Sequence, residues 1–166
     1  KREATRQDRD AWQLLAPIAR QPLLGRIRHP VRSREYYRTI SRALQRMEIG
    51  RNTVICHIGE VPFAEVVAEV ADFLVAMDRI SWCLVTGHHG DRMVLSLRTT
   101  DPKGQAERVM KRILRGLGKG GGHGMIAGGA LPSLDGDPDG STAAQISARF
   151  LRALRRRVRE VMKPLC

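Results

Sequence analysis

Residues 116–132 read GLGKGGGHGMIAGGALP. Eight of the chain's sixteen glycines fall in this stretch, so it is not background composition. Glycine costs conformational entropy wherever it stands, and folds keep it where the backbone bends unusually or something must come close. Gly120, Gly121 and Gly122 precede His123, with Lys119 just before them. Bare backbone N–H groups in such a run can converge on an anion, with an imidazole at the edge of the nest. The segment GMIAGG at 124–129 is expected to open a short helix whose N-terminus faces the same anion. The stretch therefore reads as a phosphate-binding loop. The competing reading is a flexible loop between a helix and a strand.

Other glycine motifs fit poorly. Gly116 to Gly121 matches G-x-G-x-x-G as a string, but it follows an expected helix and not a strand. The P-loop pattern fails because no Ser or Thr follows Lys119.

Upstream, the pattern alternates between helices and strands. Ala11, Leu14, Leu15 and Ile18 predict a short helix, broken near Pro17. Pro22, Gly25 and Pro30 predict a loop. Ser33 suits the N-cap of a helix carrying Tyr36, Tyr37, Ile40, Leu44 and Met47, ended by Gly50. Arg34, Arg38, Arg42 and Arg46 recur on its other side, as a solvated face or as a contact with nucleic acid or a neighbouring domain. Thr53–Ile58 is β-branched and apolar, a buried strand in which His57 is a core histidine. Phe63 to Met77 is an amphipathic helix, with Glu65, Glu69 and Asp72 facing away.

Trp82–Thr86 and Arg92–Leu97 predict an antiparallel hairpin. His88-His89 at its tip is not read as a metal site, because adjacent side chains diverge there. Asp101-Pro102 is expected to start a helix with Ala106, Val109, Met110, Ile113 and Leu114 inward. Ala127–Leu131 is expected as a short strand. The Ser133-to-Gly140 stretch reads as a turn-rich acidic loop, since the calcium-loop pattern lacks its glutamate. A long last helix is expected over 141–163, with an apolar stripe through Ile146, Phe150 and Leu154 and a basic one through Arg152, Arg155, Arg156, Arg159 and Lys163. The order predicts an α/β fold, a mixed β-sheet flanked by helices, with a helical connector over 1–51 and an α/β domain over 52–166.

Arg98 ends the second hairpin strand, and Ser96 shares its face because strand side chains alternate. A guanidinium there can pair with phosphate through two hydrogen bonds. Ser96, Arg98, Gly120, Gly121, Gly122 and His123 are thus the candidate phosphate-binding residues. None of them is a catalytic or metal-ligand candidate.

GGGHGMIAGG resembles the GGGH-x-x-A-(A/G)-G signature of the DHH-associated domain, and Ser96-Leu97-Arg98-Thr99 resembles that family's S-x-R-S/T strand end. The likeness runs from about Asn52 to Pro132. It implies the C-terminal substrate-binding half of a DHH-family phosphoesterase, a group spanning RecJ-like nucleases, oligoribonuclease/pAp phosphatases and cyclic-dinucleotide phosphodiesterases. The catalytic residues of that family lie in an upstream DHH domain holding Mn²⁺ or Mg²⁺, and no Asp-His-His stretch occurs here. The resemblance thus implies no cofactor in this chain, a nucleotide or short oligonucleotide as ligand, and the DHH domain as partner. An isolated chain is then expected to bind weakly and cleave nothing. Two alternatives stay open: a stand-alone RNA-binding or regulatory module, and a metal-independent phosphate enzyme using His123 as acid or base.

Composition sets the remaining bounds. The chain has 166 residues and a net charge of +12. Residues 1–51 hold thirteen Lys/Arg against five Asp/Glu, and 142–166 hold seven against one, whereas the middle holds nine against eleven. The basic character belongs to the ends, which suits a polyanion held by the flanks. The opening KREATRQDRD lacks a Met and resembles the cut end of a longer polypeptide. No apolar run is long enough to cross a bilayer. Three cysteines without a C-x-x-C pair suggest reduced thiols and a cytoplasmic location.

Overall fold

Seven strands build one mixed sheet, and its order carries the glycine stretch to an edge. The computed structural model describes residues 4–132, 140–154 and 163–165. Two compact units divide between Ser33 and Arg34. The first carries α1 (Arg6–Leu15) and α2 (Gln21–Arg28). Thr5 and Asp8 cap α1 reciprocally, and the helix stops short of Pro17. The loop expected around Pro22 is instead α2. Proline is tolerated in a first helical turn, where its missing N–H has no helical partner anyway, and Pro22 sits there.

The second unit holds α3 (Arg34–Arg46), β1 (Met47–Ile49), β2 (Thr53–Glu60), α4 (Glu65–Leu74), β3 (Trp82–His89), β4 (Arg92–Thr99), α5 (Ala106–Ile113), β5 (Lys119–His123), β6 (Ile126–Pro132), α6 (Ser141–Ala153) and β7 (Lys163–Pro164). The strand order is β5-β6-β4-β3-β2-β1-β7. Among the described strands only β2 and β3 run parallel, with α4 as the crossover.

Helices cover both faces. On one, Ala43 of α3 and Val66, Val67, Val70 and Leu74 of α4 pack on Val54, Cys56, Cys83 and Val85. On the other, Met110, Ile113 and Leu114 with Ile146 and Phe150 of α6 pack on Leu84, Met93, Leu95 and Leu97. Each fully buried side chain of this size is worth about 1.5–3 kcal/mol over an exposed one. The predicted α/β fold, a mixed sheet flanked by helices, is the one observed.

Several expected boundaries shift for local reasons. Met47 is a strand residue, because Gly50–Asn52 is a hairpin turn closed by the Gly50 amide donating to the Thr53 carbonyl at 2.8 Å. Asp101 does not cap a helix. Its carboxylate and carbonyl accept from the Lys103 and Gly104 amides in a tight turn, and α5 begins only at Ala106. Two of the four periodic arginines of α3 are structural: Arg42 donates to the Glu60 carbonyl and Arg46 to that of Ile58. Lys163, expected in a long last helix, instead pairs with Ile49 as part of β7. Arg155, Arg156 and Arg159 of the expected basic stripe, and the acidic loop at 133–139, lie outside the described residues.

Candidate functional site

The glycine stretch is a β-hairpin, neither a loop nor a helix start. β5 and β6 pair from Lys119↔Ala130 to His123↔Ile126 around a two-residue turn, where Gly124 takes φ +52°. The helix expected to open at Gly124 is therefore replaced by β6. Met125 explains part of this outcome: its carbonyl accepts from the Thr99 amide, which ties the turn to the end of β4.

Three consecutive glycines cost a strand about 0.5–1 kcal/mol each. Burial of Met110 and Leu114 beneath the hairpin is of comparable size and holds it. The two faces of the hairpin use glycine differently. Toward α5, a Cβ on Gly120 would lie 2.7 Å from Leu114 Cδ1 and 2.9 Å from Met110 Cγ. One on Gly122 would collide with the Ile126 carbonyl and the Ala127 backbone, and one on Gly129 with Leu114. These three glycines are demanded by packing. Toward the opposite face, a Cβ on Gly121 would meet nothing within 4 Å, and one on Gly128 only the Leu95 carbonyl at 3.7 Å. These two leave an open shelf.

Register places the other candidates around that shelf. Directly opposed residues of an antiparallel pair share a face. Ser96, Gly128 and Gly121 form one row across β4, β6 and β5, and Arg98, Ile126 and His123 form the next. All lie on the α4 side of the sheet, because Cys83 and Val85, opposite Arg98 and Ser96, pack toward α4. His123, Ile126 and Gly128 are exposed. As the last strand of the sheet, β5 also leaves alternate backbone N–H and C=O groups without a ladder partner.

The rear of the shelf is an ion pair with a hydroxyl. The Arg98 side chain is only 10% exposed. Its Nε donates to Asp72 Oδ1 at 2.5 Å, and its Nη1 donates to Ser96 Oγ at 2.8 Å and to the Leu97 carbonyl at 3.2 Å. Nη2 reaches Asp72 Oδ2 at 3.4 Å. These bonds lay the guanidinium over Ser96 on its own strand, with Nη2 the least committed nitrogen. Asp72, expected to face away from the core helix, is the residue that orients it. Two strand spacings separate Arg98 from His123, about 10 Å between backbones.

The DHH resemblance implies a divalent metal in the parent protein. The donor chemistry does not fit one at this shelf, since Asp72 is spent on Arg98 and His123 is a lone imidazole. Among the described residues, no group of three or more His, Cys, Asp or Glu could hold a metal ion. His88 and His89, adjacent on β3, point to opposite faces.

No protein-family model matches the chain. An uncharacterized protein of Methanocaldococcus jannaschii is 28% identical over 133 residues, covering 80% of this chain. The chain spans about a quarter, 27%, of that relative's length. Among solved structures, an exopolyphosphatase-related protein from Bacteroides fragilis superposes with a TM-score of 0.63 at 12% identity, over 89% of this chain and 44% of that one. At that identity the likeness is one of fold. A pGpG-specific phosphodiesterase of Vibrio cholerae aligns with a TM-score of 0.39 at 11% identity, over 69% of this chain and 40% of its own. Among the described residues, no helix is long and apolar enough to cross a membrane.

The remaining histidine of the sheet is structural. Half-buried His57 places Nδ1 2.7 Å from Thr86 Oγ1 and Nε2 2.7 Å from Ser147 Oγ, and Ser147 donates to the Ala143 carbonyl. The chain of bonds fastens α6 to the sheet. Asp72 and Gly128, the open partner of Gly121, were the site features that sequence reading missed. The periodic acids of α4 gave no sign that one of them reaches an arginine of β4. The G-G of Gly128-Gly129 was visible, but which of the two faces open space depends on register.

Proposed function

We propose that this chain is the substrate-binding domain of a DHH-family phosphoesterase, holding the phosphate of a nucleotide or short oligonucleotide on the Gly121/Gly128 shelf. The observation that carries this reading is the shared face: Ser96, Arg98 and His123 lie on the side of the sheet where Gly121 and Gly128 leave the backbone bare beside the exposed Ile126. A phosphate needs close approach to backbone, a fixed cation and further donors. The shelf offers the approach, Arg98 the charge, and Ser96 and His123 the hydrogen bonds. The breadth of the shelf suits a ligand whose separate groups meet Arg98 and His123. Gly120 and Gly122 contribute as members of the unpaired edge, where alternate amides are open to an anion, and not as a closed nest. The fold shared with an exopolyphosphatase-related protein supports the same direction.

The proposal assigns hydrolysis, and the Mn²⁺ or Mg²⁺ it requires, to a DHH domain elsewhere in the parent polypeptide, facing this shelf across a cleft. This chain positions the substrate and cleaves nothing by itself. Its cytoplasmic location follows from the nucleotide substrate and reduced thiols.

The test is an amide-shift titration of the chain with pAp and with a short oligoribonucleotide. Shifts are expected to cluster at Ser96, Arg98, Gly121, His123 and Gly128. Shifts confined to other surfaces would reject the shelf as the site. Turnover that persists with EDTA and disappears in His123→Ala would replace a binding role with a metal-independent enzyme.

A further inference from the structure

The helical face opposite the shelf carries a second cationic surface. Arg108, Lys111, Arg112 and Arg115, with i,i+3 and i,i+4 spacings among them, fall on one side of α5 and the turn after it. A helix sets them in a line about 10 Å long. With Glu107 they line a groove of about 510 Å³. Arg112 and Arg115 are shared with an adjoining groove of about 360 Å³ that adds Arg149 and Arg152 of α6. The continuous surface thus holds six cationic side chains against one carboxylate.

Cations near a helix C-terminus ordinarily answer its dipole. Here that need is already met. Arg149 Nη1 donates to the Ile113 carbonyl at 3.0 Å and to the Arg115 carbonyl at 2.6 Å, closing the end of α5. Glu107 is paired with Lys111 at 2.6 Å. Arg112, Arg115 and Arg152 have no ion-pair partner among the described residues. Such a concentration of like charge is unfavourable on an empty surface, and a linear polyanion relieves it.

We infer that the α5–α6 groove binds the phosphate backbone of a nucleic acid strand, at a surface separate from the shelf and on the other side of the sheet. The groove offers no stacking platform. Its aromatic neighbour, Trp82, lines an adjoining pocket and is buried. Contacts are therefore to phosphates and carry no base preference.

The test is fluorescence anisotropy of a labelled oligouridylate on the full chain over a salt series. Arg108, Arg112, Arg115 and Arg152 supply about four phosphate contacts, so log affinity should fall against log salt with a slope near about −3 for a single strand. The paired reversal Arg112→Glu with Arg115→Glu should weaken binding at least about tenfold at fixed salt and flatten the slope by about 1–2. The milder pair Arg112→Gln with Arg115→Gln should move both readings the same way by less. A control of equal charge, Arg34→Glu with Arg38→Glu on α3, should change affinity less than either. A control reversal as damaging as the groove reversal overturns the inference. So does displacement by polyglutamate at the same charge concentration as unlabelled RNA, which would mark the groove as a site for acidic protein.

Discussion

Arg98 of β4 is held by Asp72 of α4, Nε to Oδ1 at 2.5 Å, while its Nη1 rests on Ser96 Oγ at 2.8 Å. The pair locks a nearly buried cation at the border between the helix-covered and the bare parts of one sheet face. Removing one partner of such a pair leaves the other poorly solvated, whereas Asp72 itself is largely open to water. Asp72→Asn is therefore expected to cost about 1–2 kcal/mol, read by urea denaturation. An unchanged midpoint would show that the pair is ornamental to the fold.

Arg98→Ala should weaken nucleotide binding by about 1–3 kcal/mol, the size of a hydrogen bond to a charged group. His123→Ala should weaken it by a similar amount with stability changed by less than about 0.5 kcal/mol, because His123 is an exposed edge residue. Calorimetric titration with pAp separates the two quantities.

The glycines divide by face, and substitution should divide the same way. Gly122→Ala drives a methyl into the Ile126 carbonyl and Ala127, so it should destabilise by about 1–3 kcal/mol or more. Gly121→Ala meets open space and should leave the melting temperature nearly unchanged while blocking ligand approach. Equal loss of stability in both variants would contradict the register.

Cys56 and Cys83 are buried, and burial pushes the Cys56 thiol up to about 12, with Arg46 pulling weakly the other way. Burial likewise raises Cys83. The folded state thus keeps protons that an unfolded thiol, near pKa ~8.5, gives up. Stability from this source is complete below about pH 8 and declines as pH rises toward 12. In native protein both thiols should resist a thiol-reactive dye, and all three cysteines should react in urea.

Sequence periodicity located the amphipathic α4 and α5 and the β3–β4 hairpin, because their apolar spacing leaves one arrangement that buries it. It failed where the deciding contact is distant. Met47 belongs to the apolar stripe of a helix by spacing, and only pairing with Cys56 makes it a strand residue. Gly120–Gly122 has no side chain with which to declare a period, and it is a strand because β6 and α5 offer it a seat. Ser96, Arg98 and His123 were legible as a group by residue chemistry. Asp72 was not, since its helical position predicts water and its partner lies twenty-six residues away.

The two-residue strand β7 has a consequence for any shortened version of the chain. Lys163 and Pro164 cap the far border of the sheet by pairing with β1, and proline offers no amide to extend the ladder. A polypeptide ending at Leu154 would leave Glu48 and Ile49 with open hydrogen-bonding groups, ready to zip onto another copy. Trimming the last dozen residues should therefore make the sample self-associate more with time and concentration than the full chain does.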